Sequence, residues 1–351
     1  MSDLHEFQKK NGAIYGNSFP AIQNFGDSPD EYRAAHAGCA LFDLTGLGFL
    51  KLTGKDVHDL LHRLTMNEMR KMQHGDILVN AFTNAKGKLV DAFFQIKNAD
   101  GYHLITSHGQ GEALMAWLDR YIFVEHVVCE NRSERVRLFL LAGNEAVAVA
   151  GLDAMPLTSS ATTIADVPVT CLPVAHLCPK GLLLVVDAEH ALAVYQALAL
   201  AEVCTPAGAE VYNMLRVEQA VPQFGNEFRQ EDTNPYEAGL HSFINYNKGC
   251  YIGQEVIARL DTYDKVKFEY ATLAIDGAMT AELPAAVLDG DQEVGMLTTC
   301  TRDPQKSTAS LAIGRIRRKA LQEKNTFVIH SGEKSLQVKV LSSTFSDVSS
   351  S

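Results

Sequence analysis

The sequence predicts an α+β fold of two related antiparallel-sheet/helix units, closed by a small C-terminal β-barrel. Three patterns carry that expectation. A strand, a glycine and a helix follow one another around Gly54 and again around Gly143. A second strand–helix pair follows each of them, at 102–121 and at 182–200. Past Lys265, five short strands separated by turn residues replace the alternation, as a small barrel requires. A chain of 351 residues is long for one core, so two or three domains are expected. The changes of pattern put their boundaries at 1–130, 131–264 and 265–351.

The first forty residues are polar and interrupted by Gly12, Gly16, Pro20, Gly26 and Pro29. They predict an irregular entry with one brief helix at 30–37. Residues 40–44 open the regular structure, and 48–52 read as a strand. Val57, Leu60, Leu61 and Leu64 then recur at i, i+3, i+4 and i+7, the apolar stripe of an amphipathic helix. After a strand at 102–106, Ser107 with Gln110 three residues on has the pattern of a capping box. The helix it would open carries Leu114, Trp117, Leu118 and Tyr121 on one face. The second half repeats this order. A strand at 136–141 ends at Gly143, an alanine-rich helix runs through Ala150, and a strand at 182–186 precedes a helix at 189–200. The period is too long for a solenoid. Two α+β units that each lay helices on an antiparallel sheet account for it; chance similarity is the alternative.

A helix at 210–220 is ended by Pro222. Residues 223–247 have no period, and Asn234-Pro235 and Gly239 mark turns in them. A loop of that length is more often functional than idle. The barrel strands are expected at 268–275, 293–299, 310–317, 326–330 and 336–341. A hairpin loop is expected at 331–334 and a frayed tail at 346–351.

Composition narrows the class. Hydrophobic residues make up 46% and charged residues 21%, as in an ordinary globular protein. A net charge of −11 argues against strong nucleic-acid binding over the whole surface. The basic run Arg315-Ile316-Arg317-Arg318-Lys319 reads as a solvated strand edge or as a local patch. Seven cysteines, an odd number without regular spacing, fit free thiols in a reducing compartment. No apolar run is long enough to span a membrane, and the N-terminus has neither a basic nor an apolar signal region. A cytoplasmic location and no membrane partner are expected. Cys171, His176 and Cys178 lack a fourth ligand at zinc spacing, so no metal is expected. Gly109-x-Gly111 lacks the third glycine and the acidic partner of a dinucleotide fingerprint.

The segment richest in chemistry is Lys248-Gly249-Cys250-Tyr251-Ile252-Gly253-Gln254-Glu255, followed by the helical run Val256-Ile257-Ala258-Arg259-Leu260. A thiol before a helix feels the partial positive charge of free backbone N–H groups, and Lys248 adds a formal charge. Both favour thiolate. The plain alternative is a small buried hydrophobe. Lys-Gly-Cys-x-x-Gly-Gln-Glu resembles the signature of the YgfZ family of folate-binding proteins, relatives of the glycine-cleavage T-protein (aminomethyltransferase). Other segments resemble the family in the same order. They are Leu41-Phe42-Asp43-Leu44 before Gly54, Leu64-Thr65-Met66-Asn67, and Asn84-Ala85-Lys86-Gly87-Lys88 before Asp91. Arg216-Val217-Glu218 follows, then Val294-Gly295-Met296-Leu297-Thr298 with Ala312-Ile313-Gly314-Arg315-Ile316.

The resemblance implies two similar halves around a folate cavity, a C-terminal barrel and tetrahydrofolate as cofactor; the sequence does not fix the oligomeric state, and a monomer is the expectation. It implies that Glu218, with Arg216, holds the pterin, whose amino group and ring N–H a carboxylate accepts as a pair. Lys248 and Arg259 are candidates for the anionic folate tail, or they pair with Glu255 and Asp261. Tyr246 and Tyr251 flank the ring system or pack in a core. In the T-protein an adjacent acid pair assists transfer of the aminomethyl carbon; here the segment is Val90-Asp91-Ala92, with one acid. Asp91 is a candidate general acid or base, or a hairpin cap. Cys250 points to the YgfZ branch, which implies iron–sulfur client enzymes as partners and an effect on tRNA modification. The alternative is a folate-dependent aminomethyltransferase, and a third reading is a binding protein that has lost its chemistry. Whether the chain is an enzyme stays open on these residues.

Overall fold

The computed structural model describes residues 3–174, 178, 180–229, 232–263, 265–302, 308–332 and 334–343. His176 and the expected frayed tail lie outside them. The fold is α+β; the described residues form a six-stranded, a five-stranded and a small two-stranded sheet, their helices and a closed barrel. The chain divides into two units. One comprises Met1–Leu61, Met69–Val79 and Phe93–Tyr212; the other comprises His62–Glu68, Asn80–Ala92 and Asn213–Ser351.

The first unit holds a six-stranded sheet in the order Ser160–Ile164, Val167–Pro173, Gly181–Asp187, Val136–Ala142, Cys39–Asp43, Cys204–Ala207. All neighbours are antiparallel except the last pair. Leu41, Phe139, Leu141, Leu182 and Leu184 form its apolar face, and the helix Ala191–Ala199 covers that face with Val194, Tyr195 and Leu198. A five-stranded sheet runs Ile77–Thr83, Leu89–Asn98, Gly101–His108, Leu47–Thr53, Val128–Asn131. The division between units falls inside its first two strands. Gly54 and Gly143 hold matching places, each after a sheet strand and before a helix, at φ +118° and +122°.

Several expectations change here. Ser107 does not cap a helix. The strand Gly101–His108 runs through it, paired with Leu47–Thr53 as far as Leu47↔His108, and the helix Gly111–Asp119 starts later, at Gln110. Ser107 is the extra residue where the pairing shifts register between Thr106↔Gly48 and His108↔Leu47. The entry is less irregular than expected, with a helix at Asp3–Lys10 before the expected one at Ser28–Ala37. Cys171 and Pro173 belong to a strand, and the Cys171 thiol is buried.

The second unit contains a closed six-stranded barrel in the order Phe268–Ile275, Ser310–Arg317, Gln292–Arg302, Ala285–Asp289, Thr326–Ser331, Lys334–Ser343. The last strand pairs back onto the first. Leu273, Val287, Leu297, Ile316, Phe327 and Val338 fill it. The strand missing from the sequence reading is Ala285–Asp289, whose alanines and preceding proline weaken the β signal. The basic run at 315–319 is not a strand edge. Ser310–Arg317 is paired on both sides, and Arg318 begins the helix Arg318–Glu323. No helix among the described residues is long and apolar enough to cross a membrane.

Candidate functional site

Lys248, Cys250 and Asp91 all belong to the second unit, which three separate stretches of chain build. The Lys248 ammonium turns inward and donates to the Thr65 carbonyl at 2.5 Å and the Asn67 carbonyl at 2.8 Å. This pins the Leu64–Asn67 turn beneath the octapeptide. The Asn245 N–H reinforces it at the Met66 carbonyl, 3.0 Å away. The Asn80 side-chain oxygen accepts from the backbone of Asn67 and Ala81, both at 3.0 Å. Thr65 also bridges Phe82, and the Met66 N–H donates to the Ala81 carbonyl at 3.3 Å, so the turn is held from two sides.

The hairpin at 84–88 closes locally, because the Asn84 side chain accepts from the N–H groups of Lys86 at 2.9 Å and Lys88 at 3.1 Å. It then docks on the octapeptide. The Thr83 hydroxyl donates to the Ile252 carbonyl at 2.5 Å. Gly253 caps the helix Gln254–Thr262 at φ +84°, and a Cβ there would stand 2.5 Å from the Asn84 carbonyl oxygen. Only glycine meets both demands. The far side of the hairpin is held by Leu89 N–H on the Thr233 carbonyl at 2.8 Å and by the Lys88 ammonium on the Asp232 carbonyl at 2.9 Å. Asp91 follows in the strand Leu89–Asn98 and is wholly buried.

On this platform Cys250 is the exposed cysteine of the seven. It sits three residues before the helix cap. Tyr251 is buried under the Lys248 ammonium, 5.4 Å from its ring centroid, and burial pushes its phenol up to about 12. The sequence reading missed His62. This buried imidazole has Nδ1 3.7 Å from Glu68 Oε1 and Nε2 3.7 Å from where a Cβ on Gly249 would stand. The signal was its position one turn before the Thr65-Met66-Asn67 segment.

Arg216 and Glu218 stand on another element, the helix Ala209–Glu218. Arg216 is 1% exposed and all its donors are engaged. Nη1 donates to Glu227 Oε2 at 2.6 Å and the Val221 carbonyl at 2.8 Å. Nη2 donates to Thr299 Oγ1 at 2.8 Å and, with Nε, to Asn213 Oδ1. The other Glu227 oxygen accepts from Thr298 at 2.9 Å and Thr299 at 2.6 Å, two hydroxyls presented together where the strand Gln292–Arg302 shifts register. This buried pair repays its desolvation through hydrogen bonds on every face. Arg216 and Lys248 were both expected to contact a ligand. Their hydrogen bonds named above run to groups inside the unit. Glu218 ends the helix half-buried, Arg259 is exposed on Gln254–Thr262, and the Tyr246 hydroxyl meets that of Tyr236. Burial raises the Tyr246 phenol above its ordinary range.

Set beside known proteins, the chain matches the GCVT N-terminal domain over residues 5–248, more than half its length. It belongs to the GCVT N-terminal domain family. The match stops two residues before Cys250. Curated relatives include a protein of Arabidopsis thaliana whose name gives it provisionally as a chloroplastic transferase, 25% identical over 88% of this chain and 72% of its own. An aminomethyltransferase of Chlorobium phaeobacteroides is 26% identical over 78% of each chain. One from Bacillus pumilus is 24% identical over 92% of this chain and 91% of its own. The crystal structure of the glycine cleavage system aminomethyltransferase T from Bartonella henselae covers 97% of this chain and 96% of its own, with a TM-score of 0.85 at 18% identity. That likeness shows a shared fold.

Proposed function

We propose that this protein binds tetrahydrofolate and serves as a YgfZ-type accessory factor in the assembly or repair of iron–sulfur enzymes, with Cys250 as its acting thiol. The observation that carries the reading is the exposed Cys250 on a loop tied down from both sides, whose neighbouring Gly249 faces the buried His62 imidazole. A structural cysteine would be buried, as Cys39, Cys171, Cys178 and Cys204 are. Free thiols throughout fit a reducing compartment such as the cytoplasm. The three-part division at 1–130, 131–264 and 265–351 belongs to the same reading.

The residues fit tetrahydrofolate in kind. Glu218 offers a half-buried carboxylate to the pterin, Arg259 an exposed cation to the glutamate tail, and Tyr246 a partly exposed ring. Arg216 positions the helix that carries Glu218, and Lys248 positions the turn at 64–67. When bound, the folate supplies nitrogens able to accept a one-carbon unit. Glu218→Ala is expected to weaken tetrahydrofolate binding by about 1–3 kcal/mol, as loss of a buried carboxylate pair does. Unchanged affinity by titration calorimetry would remove Glu218 from the site.

The decisive experiment restores the gene to cells that lack it and reads methylthiolation of tRNA, the product of an iron–sulfur enzyme. Wild type restores the modified nucleoside and Cys250→Ala does not, while the variant still binds folate. Equal rescue by both proteins would refute the role of the thiol. A second reading, an aminomethyltransferase, is favoured by the names of the relatives and by the acid at Asp91.

A further inference from the structure

The barrel side of the second unit contains a cavity of about 480 Å³. That is the size of a small-molecule site, for which roughly 300–1,000 Å³ is usual. We propose that this cavity is a second ligand site, separate from Cys250 and Glu218, and that it takes a small monocarboxylate with a short apolar body.

The polar wall carries Arg229, Arg315, Asn213 and Asn226. Arg315 is fixed before any ligand arrives. Its guanidinium lies 4.2 Å over the Phe268 ring, and Nη2 donates to Glu237 at 3.0 Å. Its side chain stays 21% exposed. A guanidinium held in one orientation and still partly accessible is suited to a carboxylate oxygen. Arg229 is exposed and anchored through Nε to the Gly225 carbonyl at 3.3 Å. Two arginines in one hollow run against the net charge of −11.

The acids in the wall do not cancel this. Both Glu227 oxygens are engaged by Arg216, Thr298, Thr299 and the Gln223 N–H. Asp232 is exposed, with the Lys88 ammonium on its carbonyl, and it disfavours a second carboxylate on the ligand. Cys300 is neutral near pH 7, since burial pushes its thiol up to about 11. The apolar wall is Leu283, Pro284 and Met296. A neighbouring hollow of about 320 Å³ shares Leu283 and Cys300 and adds Met279, which gives the body of the ligand room.

Helix geometry separates this cavity from the proposed pterin residue. Asn213 lines the cavity, and Arg216, three residues on, donates to its side chain from the same side of Ala209–Glu218. Glu218, two residues past Arg216, points about 200° further round the helix.

Titration calorimetry on the full chain with hexanoate, and with hexan-1-ol as neutral control, tests the proposal. Hexanoate is expected to saturate one site. Arg229→Gln and Arg315→Gln should each weaken it at least tenfold, and Met296→Trp, which fills the mouth without changing charge, should abolish it. Hexan-1-ol should not bind. No saturable binding at millimolar hexanoate, or equal binding of the alcohol, overturns the proposal. If Arg315→Gln fails to fold after losing its pair with Glu237, the other two variants decide, and unchanged binding in both overturns it. Tetrahydrofolate affinity measured on Met296→Trp should equal wild type, so this proposal and the folate reading stand or fall separately.

Discussion

Cys250 and Arg216 carry reactive-looking chemistry in opposite settings. The thiol is exposed and the guanidinium is enclosed on all sides. Removing Arg216 leaves the Glu227 carboxylate buried and uncompensated, which costs about 3–5 kcal/mol for a broken buried pair. Arg216→Met should therefore lower the urea midpoint sharply, and Arg216→Met with Glu227→Met together should recover much of the loss. A midpoint within error of wild type for the single variant would mean that the pair contributes nothing. At this scale a motif names residue types, as at Cys250 and Glu218, but not what surrounds them. The hydrogen-bond partners of Arg216 and Lys248 were not legible, because they are distant. Thr299 stands far along the chain from Arg216, and Thr65 far from Lys248. Long-range carbonyls and hydroxyls leave no trace in local spacing.

The elements behave likewise. Helical stripes and barrel strands could be read from period alone, and the helix Val57–Leu64 and the strands Phe268–Ile275 and Ser310–Arg317 formed where expected. Edge strands such as Ser160–Ile164, with a polar face and no apolar run, did not announce themselves. The octapeptide and the hairpin at 84–88 were each visible, but not their docking, which depends on two backbones meeting at Gly253. Gly253→Ala tests that contact. The added methyl would meet the Asn84 carbonyl at 2.5 Å and strain a positive φ, a penalty of about 1–3 kcal/mol. The denaturation midpoint should fall, and Cys250 should be alkylated faster as its loop loosens. If neither changes, the hairpin yields without cost and does not support the thiol.

At the scale of the whole molecule, the shared fold leaves the chemistry open, since one fold hosts many activities. Presenting an aminomethylated carrier protein with tetrahydrofolate and measuring methylene-tetrahydrofolate separates the two readings. No turnover is expected if the second acid, replaced here by Ala92, is required. Sustained turnover would favour the transferase. The division of the chain has a consequence of another kind, for synthesis. The second unit needs residues 62–68 and 80–92, which leave the ribosome long before Asn213. Until the C-terminal stretch arrives, the turn lacks Lys248 and the hairpin lacks its seat at Gly253. The nascent chain must carry both as unfinished business through most of translation. A pause in translation before residue 248 would lengthen the time both spend without their partners, which is when a nascent chain is most prone to misassembly.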